Sequence, residues 1–194
     1  MAYLPTVPPE AAAGDVKAMY DSDVAAQGYV ANYTRAFSSR PDVLQGWLGL
    51  KNAIASGTDP RLYELATVAA ATAIRSSYCS LVHGNILATG FYPAETVASM
   101  AAGGVPGGLD EADAAVVRLA RKVALEADKV TQEDVDELRG LGLSDADVLS
   151  VILVAAARCF FSKVLDATGT LPDAALHDLP AQLRSALTVG REIE

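Results

Sequence analysis

Cysteine and histidine are scarce in this chain, which has two of each among 194 residues. Because these residues form no tight cluster with carboxylates, a zinc site would lack ligands, and we predict no metal and no other cofactor. The opening MAYLPTVPPE lacks the basic and apolar regions of a secretory signal. We therefore expect a cytoplasmic protein whose cysteines are thiols rather than members of a disulfide framework.

Basic stripes and long apolar runs are also missing. The formal net charge of −9 is spread over many short acidic stretches, and no Lys/Arg stripe is present to neutralise phosphates. The longest apolar run, residues 65–74, contains two threonines and is far shorter than the roughly 18 residues needed to cross a bilayer. The sequence therefore predicts neither nucleic-acid nor membrane partners.

Alanine and other strong helix formers are abundant, and they outnumber the β-branched and aromatic residues that favour strands. The length falls within the usual range of one domain. We therefore predict an all-α fold in a single domain, 1–194. Three prolines within residues 5–9 predict an extended N-terminal arm at about 1–9.

Capping and stop signals divide the chain into about eight helices with short connections. These lie at about 9–19, 40–56, 59–74, 76–90, 110–128, 131–140, 144–165 and 181–189, and GGVPGG at 103–108 is a loop. When Arg75 is aligned with Arg158, ELATVAAATAIRSSYC lies over DVLSVILVAAARCFFS. This internal similarity favours a duplicated helical unit, and chance similarity between alanine-rich helices is the alternative.

The main candidate for chemistry is the pair Cys79 and His83 at the start of one predicted helix. Their spacing of four residues puts both side chains on one helix face. A helix N-terminus and a nearby imidazolium both favour the thiolate form of a cysteine. Glu64, on the preceding helix, can fold back to orient His83 and accept a proton. The alternative is a buried thiol, a core histidine and a solvated carboxylate.

Four further residues receive structural interpretations. Cys159 is expected to be a buried residue, and Arg158 is expected to reach solvent rather than to pair with a carboxylate inside the protein. Trp47 is assigned to the core because leucines flank it at helical spacing. His177 is assigned to the surface.

The stretch YELATVAAATAIRSSYCSLVHG resembles the signature of the AhpD-like, carboxymuconolactone decarboxylase superfamily. Peroxidase members of that superfamily carry a glutamate, then Cys-x-x-Cys, then a histidine. The resemblance gives these roles to Glu64, Cys79 and His83, and it implies an AhpD-like helical bundle and a homo-oligomer. FSSRPDVLQGW, VTQEDVDELRGLGLSDADV and AAARCFFSKVLDATG extend the resemblance to a peroxidase-related subgroup.

The sequence departs from the family at Ser76, which stands where the first motif cysteine belongs. A disulfide within the motif is thereby excluded. The Ser76 hydroxyl can still donate a hydrogen bond to the Cys79 thiolate or to a peroxide oxygen. We therefore expect one-cysteine chemistry with an external thiol reductant, and whether Cys159 resolves an oxidised Cys79 stays open.

The leading hypothesis is a thiol-dependent hydroperoxide reductase with four catalytic residues, Glu64, Ser76, Cys79 and His83. Its partners would be a small hydroperoxide and a thiol reductant. Two alternatives share the fold. One is an acid-base decarboxylase or isomerase that uses Glu64 and His83, and the other is a non-catalytic oligomeric binding protein.

Overall fold

All regular secondary structure in the described part of the chain is helical. The computed structural model describes residues 2–103 and 107–194, so Met1 of the predicted arm and the centre of the predicted 103–108 loop lie outside the described residues. Ten α-helices occur within these ranges: α1 Gly14–Gln27, α2 Asn32–Ala36, α3 Pro41–Ser56, α4 Pro60–Ala73, α5 Ser77–Gly90, α6 Ala94–Met100, α7 Glu111–Glu126, α8 Gln132–Gly140, α9 Asp145–Ala167 and α10 Ala181–Leu187. The predicted all-α class is confirmed.

Two of these helices were not predicted, and one was misplaced. Helices α2 and α6 have five and seven residues, too few to show a helical period in the sequence. Pro9–Ala11 forms only a 3₁₀ turn, and α1 begins at Gly14. Helix α1 continues to Gln27 and ends at Gly28, which adopts a left-handed φ of 86° that stops a helix at little cost.

Helix α4 lies at the centre of the main core and packs against α5, α7 and α9. Almost every side chain between Leu62 and Thr72 is buried, and many are alanines that let neighbouring helices approach closely. A second, aromatic cluster joins α1, α2 and α3 to α5 and α9. The polar side chain of Glu64 is buried on α4.

Helix α9 has 23 residues and, by length and composition alone, is apolar enough to cross a membrane. Here it is a core helix that packs against α4 and α7. Buried positions recur along it at Val151, Ala155, Arg158 and Leu165. Helix α9 runs unbroken through Arg158, whereas the chain turns sharply at the aligned Arg75, where φ is 60°.

The C-terminal tail fixes the start of α5. Arg75 Nε donates to the Val189 carbonyl at 3.1 Å, and the Gly190 amide donates to Ser77 Oγ at 2.8 Å. A Cβ at Gly190 would lie 2.1 Å from the Arg75 carbonyl oxygen, so only glycine permits this approach. The tail therefore holds the α4–α5 junction in place.

Residues 2–8 form no regular secondary structure and lie along their own chain. The Tyr3 amide donates to the Thr168 carbonyl at 2.8 Å, and the Val7 amide donates to Ser38 Oγ at 2.9 Å. Tyr20 Oη donates to the Val7 carbonyl at 2.7 Å. These bonds connect the arm to α1 and to the end of α9.

Candidate active site

Cys79 lies in the first turn of α5 and is 2% exposed. It borders a cavity of about 250 Å³ between α3, α5 and α9. The walls are mainly aromatic and aliphatic, and Lys51 and Arg158 are the two cations among them. The other lining residues are Tyr33, Trp47, Leu48, Tyr78, Val82, His83, Ile86 and Phe161. Because Cys79 is buried, a substrate would contact its thiol only by entering this largely apolar cavity.

His83 lies one helical turn after Cys79 and is oriented by Glu64. Its Nδ1 is 2.8 Å from Glu64 Oε2, and both side chains are largely buried. Burial lowers the pKa of His83, the charge of Arg158 lowers it further, and Glu64 opposes the shift. His83 is therefore neutral at pH 7, with Nδ1–H donating to Glu64 and Nε2 left as a proton acceptor.

Arg158 is buried in the site, so the expectation that it reaches solvent was wrong. It is 3% exposed, and its Nη1 donates to Cys79 Sγ at 3.5 Å. Its Cζ lies 5.9 Å from the ring centroids of both Trp47 and Phe161, which cover it from water. The sequence does carry a signal for this burial, because Arg158 continues the buried helical stripe of Val151 and Ala155.

The buried guanidinium of Arg158 puts a positive charge beside Cys79 Sγ. Arg158 makes no ion pair with any Asp or Glu in the described ranges. An arginine stays charged inside a protein. Cys79 also lies in the first turn of α5, at the positive end of the helix dipole.

Ser76 is fully buried immediately before α5 but does not line the cavity. Its Oγ has no hydrogen-bonding partner of ordinary geometry among the described residues. Burial raises the pKa of Asp166, and the Ser76 hydroxyl opposes that shift. The structure thus brings together Cys79, His83 and Glu64, and the hydrogen-bonding role of Ser76 stays a prediction.

Cys159 is turned away from the cavity although it follows Arg158 directly. Its Sγ lies 3.9 Å from the Ala124 carbonyl oxygen on α7, and burial raises the pKa of its thiol. It is partly rather than fully buried. Both cysteines are free thiols, and the two sulfurs face different sides of α9.

A buried carboxylate that the sequence analysis missed braces one cavity wall. Tyr78 Oη donates to Asp173, which also accepts from the Asn32 amide at 2.7 Å. The Tyr33 amide in turn donates to Tyr78 Oη at 3.3 Å. Burial raises the pKa of Asp173, which is 6% exposed. The loop position of Asp173, after Pro172 and far from the motif, gives no sequence signal.

Two other residues lie where expected. Trp47 is buried in the aromatic cluster, and it additionally forms part of the cavity wall. His177 is exposed, with Nε2 at 3.2 Å from the Glu194 carbonyl oxygen.

Comparison with known proteins gives one family match, over residues 41–122, to the carboxymuconolactone decarboxylase family. No curated protein matches the chain significantly. A solved peroxidase-related protein from Ralstonia eutropha JMP134, named as an alkylhydroperoxidase AhpD core, superposes with a TM-score of 0.80 at 19% identity, covering 98% of each chain. A peroxidase-related protein from Silicibacter sp. TM1040 gives 0.76 at 17% identity, covering 91% of this chain and 94% of the other.

A third solved structure is a cysteine-to-alanine variant of the debrominase Bmp8 in complex with 2,3,4-tribromopyrrole. It superposes with a TM-score of 0.70 at 16% identity, covering 96% of this chain and 98% of the other. At such low identities these neighbours establish the fold alone. The predicted AhpD-like architecture is confirmed.

Proposed function

We propose that the chain, of which residues 41–122 match the carboxymuconolactone decarboxylase family, is a thiol-dependent hydroperoxide reductase with Cys79 as nucleophile. One observation carries this proposal: the buried Arg158 guanidinium contacts Cys79 Sγ at 3.5 Å in a cavity that His83 also lines. A cation at the sulfur and a neutral base one turn away are what a reactive thiol requires.

In the first half-reaction, His83 accepts the thiol proton and the Cys79 thiolate attacks the terminal oxygen of the hydroperoxide. The S–O bond forms as the O–O bond breaks, and sulfur gives two electrons to the peroxide. The departing alkoxide takes the proton from the His83 imidazolium, which Glu64 stabilises at Nδ1. The products are an alcohol and a sulfenic acid on Cys79.

In the second half-reaction, an external thiol attacks the sulfenic acid and releases water, leaving a mixed disulfide on Cys79. A second external thiol then attacks that disulfide, which restores Cys79 and yields the oxidised reductant. An external reductant is needed because Ser76 is incapable of thiol exchange and Cys159 faces α7.

Removal of bromine from an aromatic ring is a second candidate, favoured by the aromatic walls of the cavity. A fold neighbour at 16% identity is named as a debrominase. In such a step the Cys79 thiolate would take the halogen, forming an S–Br bond, and the ring carbon would gain a proton. Thiols would then reduce the sulfenyl bromide, releasing bromide.

We further propose that the protein is cytoplasmic and pairs with a second copy through an apolar stripe on α9, formed by Leu149, Leu153, Ala156 and Phe160. These positions are spaced by three and four residues and are exposed. In an antiparallel pair, Asp145 at one end of α9 would approach Lys163 at the other end of the partner helix, so the charges are complementary.

The experiment exposes reduced wild-type protein to cumene hydroperoxide in the presence of a sulfenic-acid trap and locates the adduct by peptide mass spectrometry. We expect an adduct on Cys79 and turnover with dithiothreitol, both lost in Cys79→Ser. Cys159→Ser is the matched control, since it removes the other thiol outside the cavity, and it should keep both.

An unmodified Cys79 would exclude the hydroperoxide reductase. If Cys79→Ser then kept an activity on cyclic carboxylated substrates that Glu64→Gln lost, the acid-base decarboxylase or isomerase would replace it. If tribromopyrrole lost bromide in a Cys79-dependent way while hydroperoxides were inert, the second candidate would stand.

A further inference from the structure

We propose that the Cys79 cavity selects flat, mostly apolar substrates that carry one negative charge. An aromatic hydroperoxide with a carboxylate on the ring is an example. Lys51 at the cavity rim would hold the charge, and the ring would lie along Trp47. This inference rests on the proposed function only for the hydroperoxide group of the substrate. The binding of an anionic ring does not depend on the proposed function.

Lys51 is the feature that points to an anion. It lines the cavity on α3 and makes no ion pair with an Asp or Glu in the described part of the chain. The other cation of the cavity, Arg158, already contacts Cys79 Sγ. The positive charge of Lys51 reaches into the site, because it contributes to the lowered pKa of His83.

Acidic residues offer Lys51 no competing partner within the cavity. No described Asp or Glu belongs to its lining, and Glu64 is hydrogen-bonded to His83 Nδ1. A substrate carboxylate beside Lys51 would therefore meet an unpaired ammonium and no facing carboxylate. In a partly desolvated pocket such a pair is stronger than on the surface.

The aromatic residues define the shape of the remaining ligand. Trp47 and Phe161 are stacked, with ring centroids 4.7 Å apart and planes 9° apart. Phe37 stacks behind Phe161 at 5.9 Å, which makes the wall rigid. The cavity volume of about 250 Å³ lies below the range typical of drug-sized ligands, so a single substituted ring is the appropriate size.

Trp47 and Lys51 are four residues apart on α3, so they lie side by side on one helix face. The thiol of Cys79 and the guanidinium of Arg158 meet at the buried end of the same cavity. A ring placed along Trp47 would have its carboxylate at Lys51 and its hydroperoxide group toward Cys79, since all three residues line the same cavity.

The binding test uses Trp47 as the reporter, because it is the only tryptophan in the chain. Its fluorescence is titrated with benzoate and with benzamide, which are alike in shape and differ in charge. In the wild type we expect benzoate to bind about tenfold more tightly, equivalent to about 1.4 kcal/mol. Lys51→Met should abolish this preference, and Lys51→Arg should keep it.

The matched control is Lys129→Met, which removes an exposed lysine that pairs with Glu126 and does not line the cavity. It should leave the benzoate preference unchanged. Equal affinities for benzoate and benzamide in the wild type, or a preference that survives Lys51→Met, would overturn the inference.

The activity test compares cumene hydroperoxide with its para-carboxylate. We expect kcat/KM to favour the carboxylate about tenfold in the wild type and to become equal in Lys51→Met. If neither hydroperoxide is reduced while benzoate still binds through Lys51, the proposed reductase fails and the anionic ligand class stands. If both are reduced at equal rates and benzoate shows no preference, the reductase stands and this inference fails.

Discussion

Arg158 Nη1 donates a hydrogen bond to Cys79 Sγ at 3.5 Å and thereby joins two residues that are 79 positions apart in the chain. This contact connects α9 with the first turn of α5. It places a permanent positive charge beside the proposed nucleophile. In a motif that has lost its first cysteine, this charge comes from a residue outside the motif. The reactivity of the thiol is therefore a property of tertiary packing as well as of the motif.

Arg158→Gln should make Cys79 much less reactive. Without the guanidinium, the thiolate loses its counter-ion, and we expect alkylation of Cys79 by iodoacetamide at neutral pH to slow about tenfold or more. Arg158→Lys keeps a cation at this position and should retain part of the effect. Cys159 in the same samples is the internal control, and an unchanged Cys79 rate would show that Arg158 is only a packing residue.

His83→Gln should lower kcat/KM for cumene hydroperoxide about 100-fold, because the site loses its proton carrier. Glu64→Gln should cost less, since an amide oxygen still accepts from Nδ1 but no longer stabilises the imidazolium. Steady-state rates with dithiothreitol measure both effects. A His83→Gln enzyme of wild-type rate would remove the histidine from the mechanism.

The helical class and the Cys79 and His83 spacing could be predicted from the sequence because their signals are local, whereas the role of Glu64 rests on the family resemblance. Alanine content, capping residues and an i, i+4 spacing all act within a few turns. The resemblance drawn from these residues is supported by the family match over residues 41–122 and, for the fold, by the solved structures.

The remaining parts of the site depend on contacts between distant segments. Asp173 reaches Tyr78 from a loop 95 residues further along the chain. Arg158 was assigned to solvent because a charge at the end of an apolar run usually snorkels, and the rule failed since Trp47 and Phe161 close over it. The α7-facing orientation of Cys159 also follows from packing, which no short motif encodes.

The depressed pKa of His83 predicts a definite dependence of stability on pH. Between that lowered pKa and the usual 6.5, the unfolded chain binds a proton that the folded protein does not. The contribution of His83 to the free energy of unfolding therefore rises with pH through this window and is lost as the pH falls. Burial raises the pKa values of Asp166 and Asp173, which gives the opposite slope at lower pH.

Urea unfolding of the wild type and of His83→Gln, compared between about pH 7.5 and about pH 5, isolates this contribution. The stability difference between wild type and variant should shrink as the pH falls below 6.5. A difference that is constant with pH would mean that His83 titrates alike in the folded and unfolded chains.

The apolar stripe of α9 should control self-association. We expect the double substitution Leu149→Glu and Leu153→Glu to shift the protein to the monomer in light-scattering chromatography, because it puts charges in the centre of the pair. Leu125→Glu is a suitable control, since Leu125 is 58% exposed on α7 and is not part of the stripe. Wild-type protein that is already monomeric at micromolar concentration would contradict the homo-oligomer.

Two glycine substitutions should change stability in opposite directions. At Gly84 on α5, a Cβ would lie 2.3 Å from Leu187 Cδ1, and Leu187 is fully buried, so it has little room to move. We expect Gly84→Ala to destabilise the protein by about 1–3 kcal/mol through overpacking between α5 and α10.

Gly46 on α3 provides the matched comparison, because it is an exposed helical position with no atom near its would-be Cβ. Gly46→Ala should stabilise by about 0.5–1 kcal/mol, since alanine loses less backbone entropy on folding. Urea unfolding followed by circular dichroism measures both changes. If Gly84→Ala proved as stable as Gly46→Ala, the Leu187 side chain on α10 would move aside at little cost. The tail that follows α10 would then be held less firmly than its hydrogen bonds to Arg75 and Ser77 indicate.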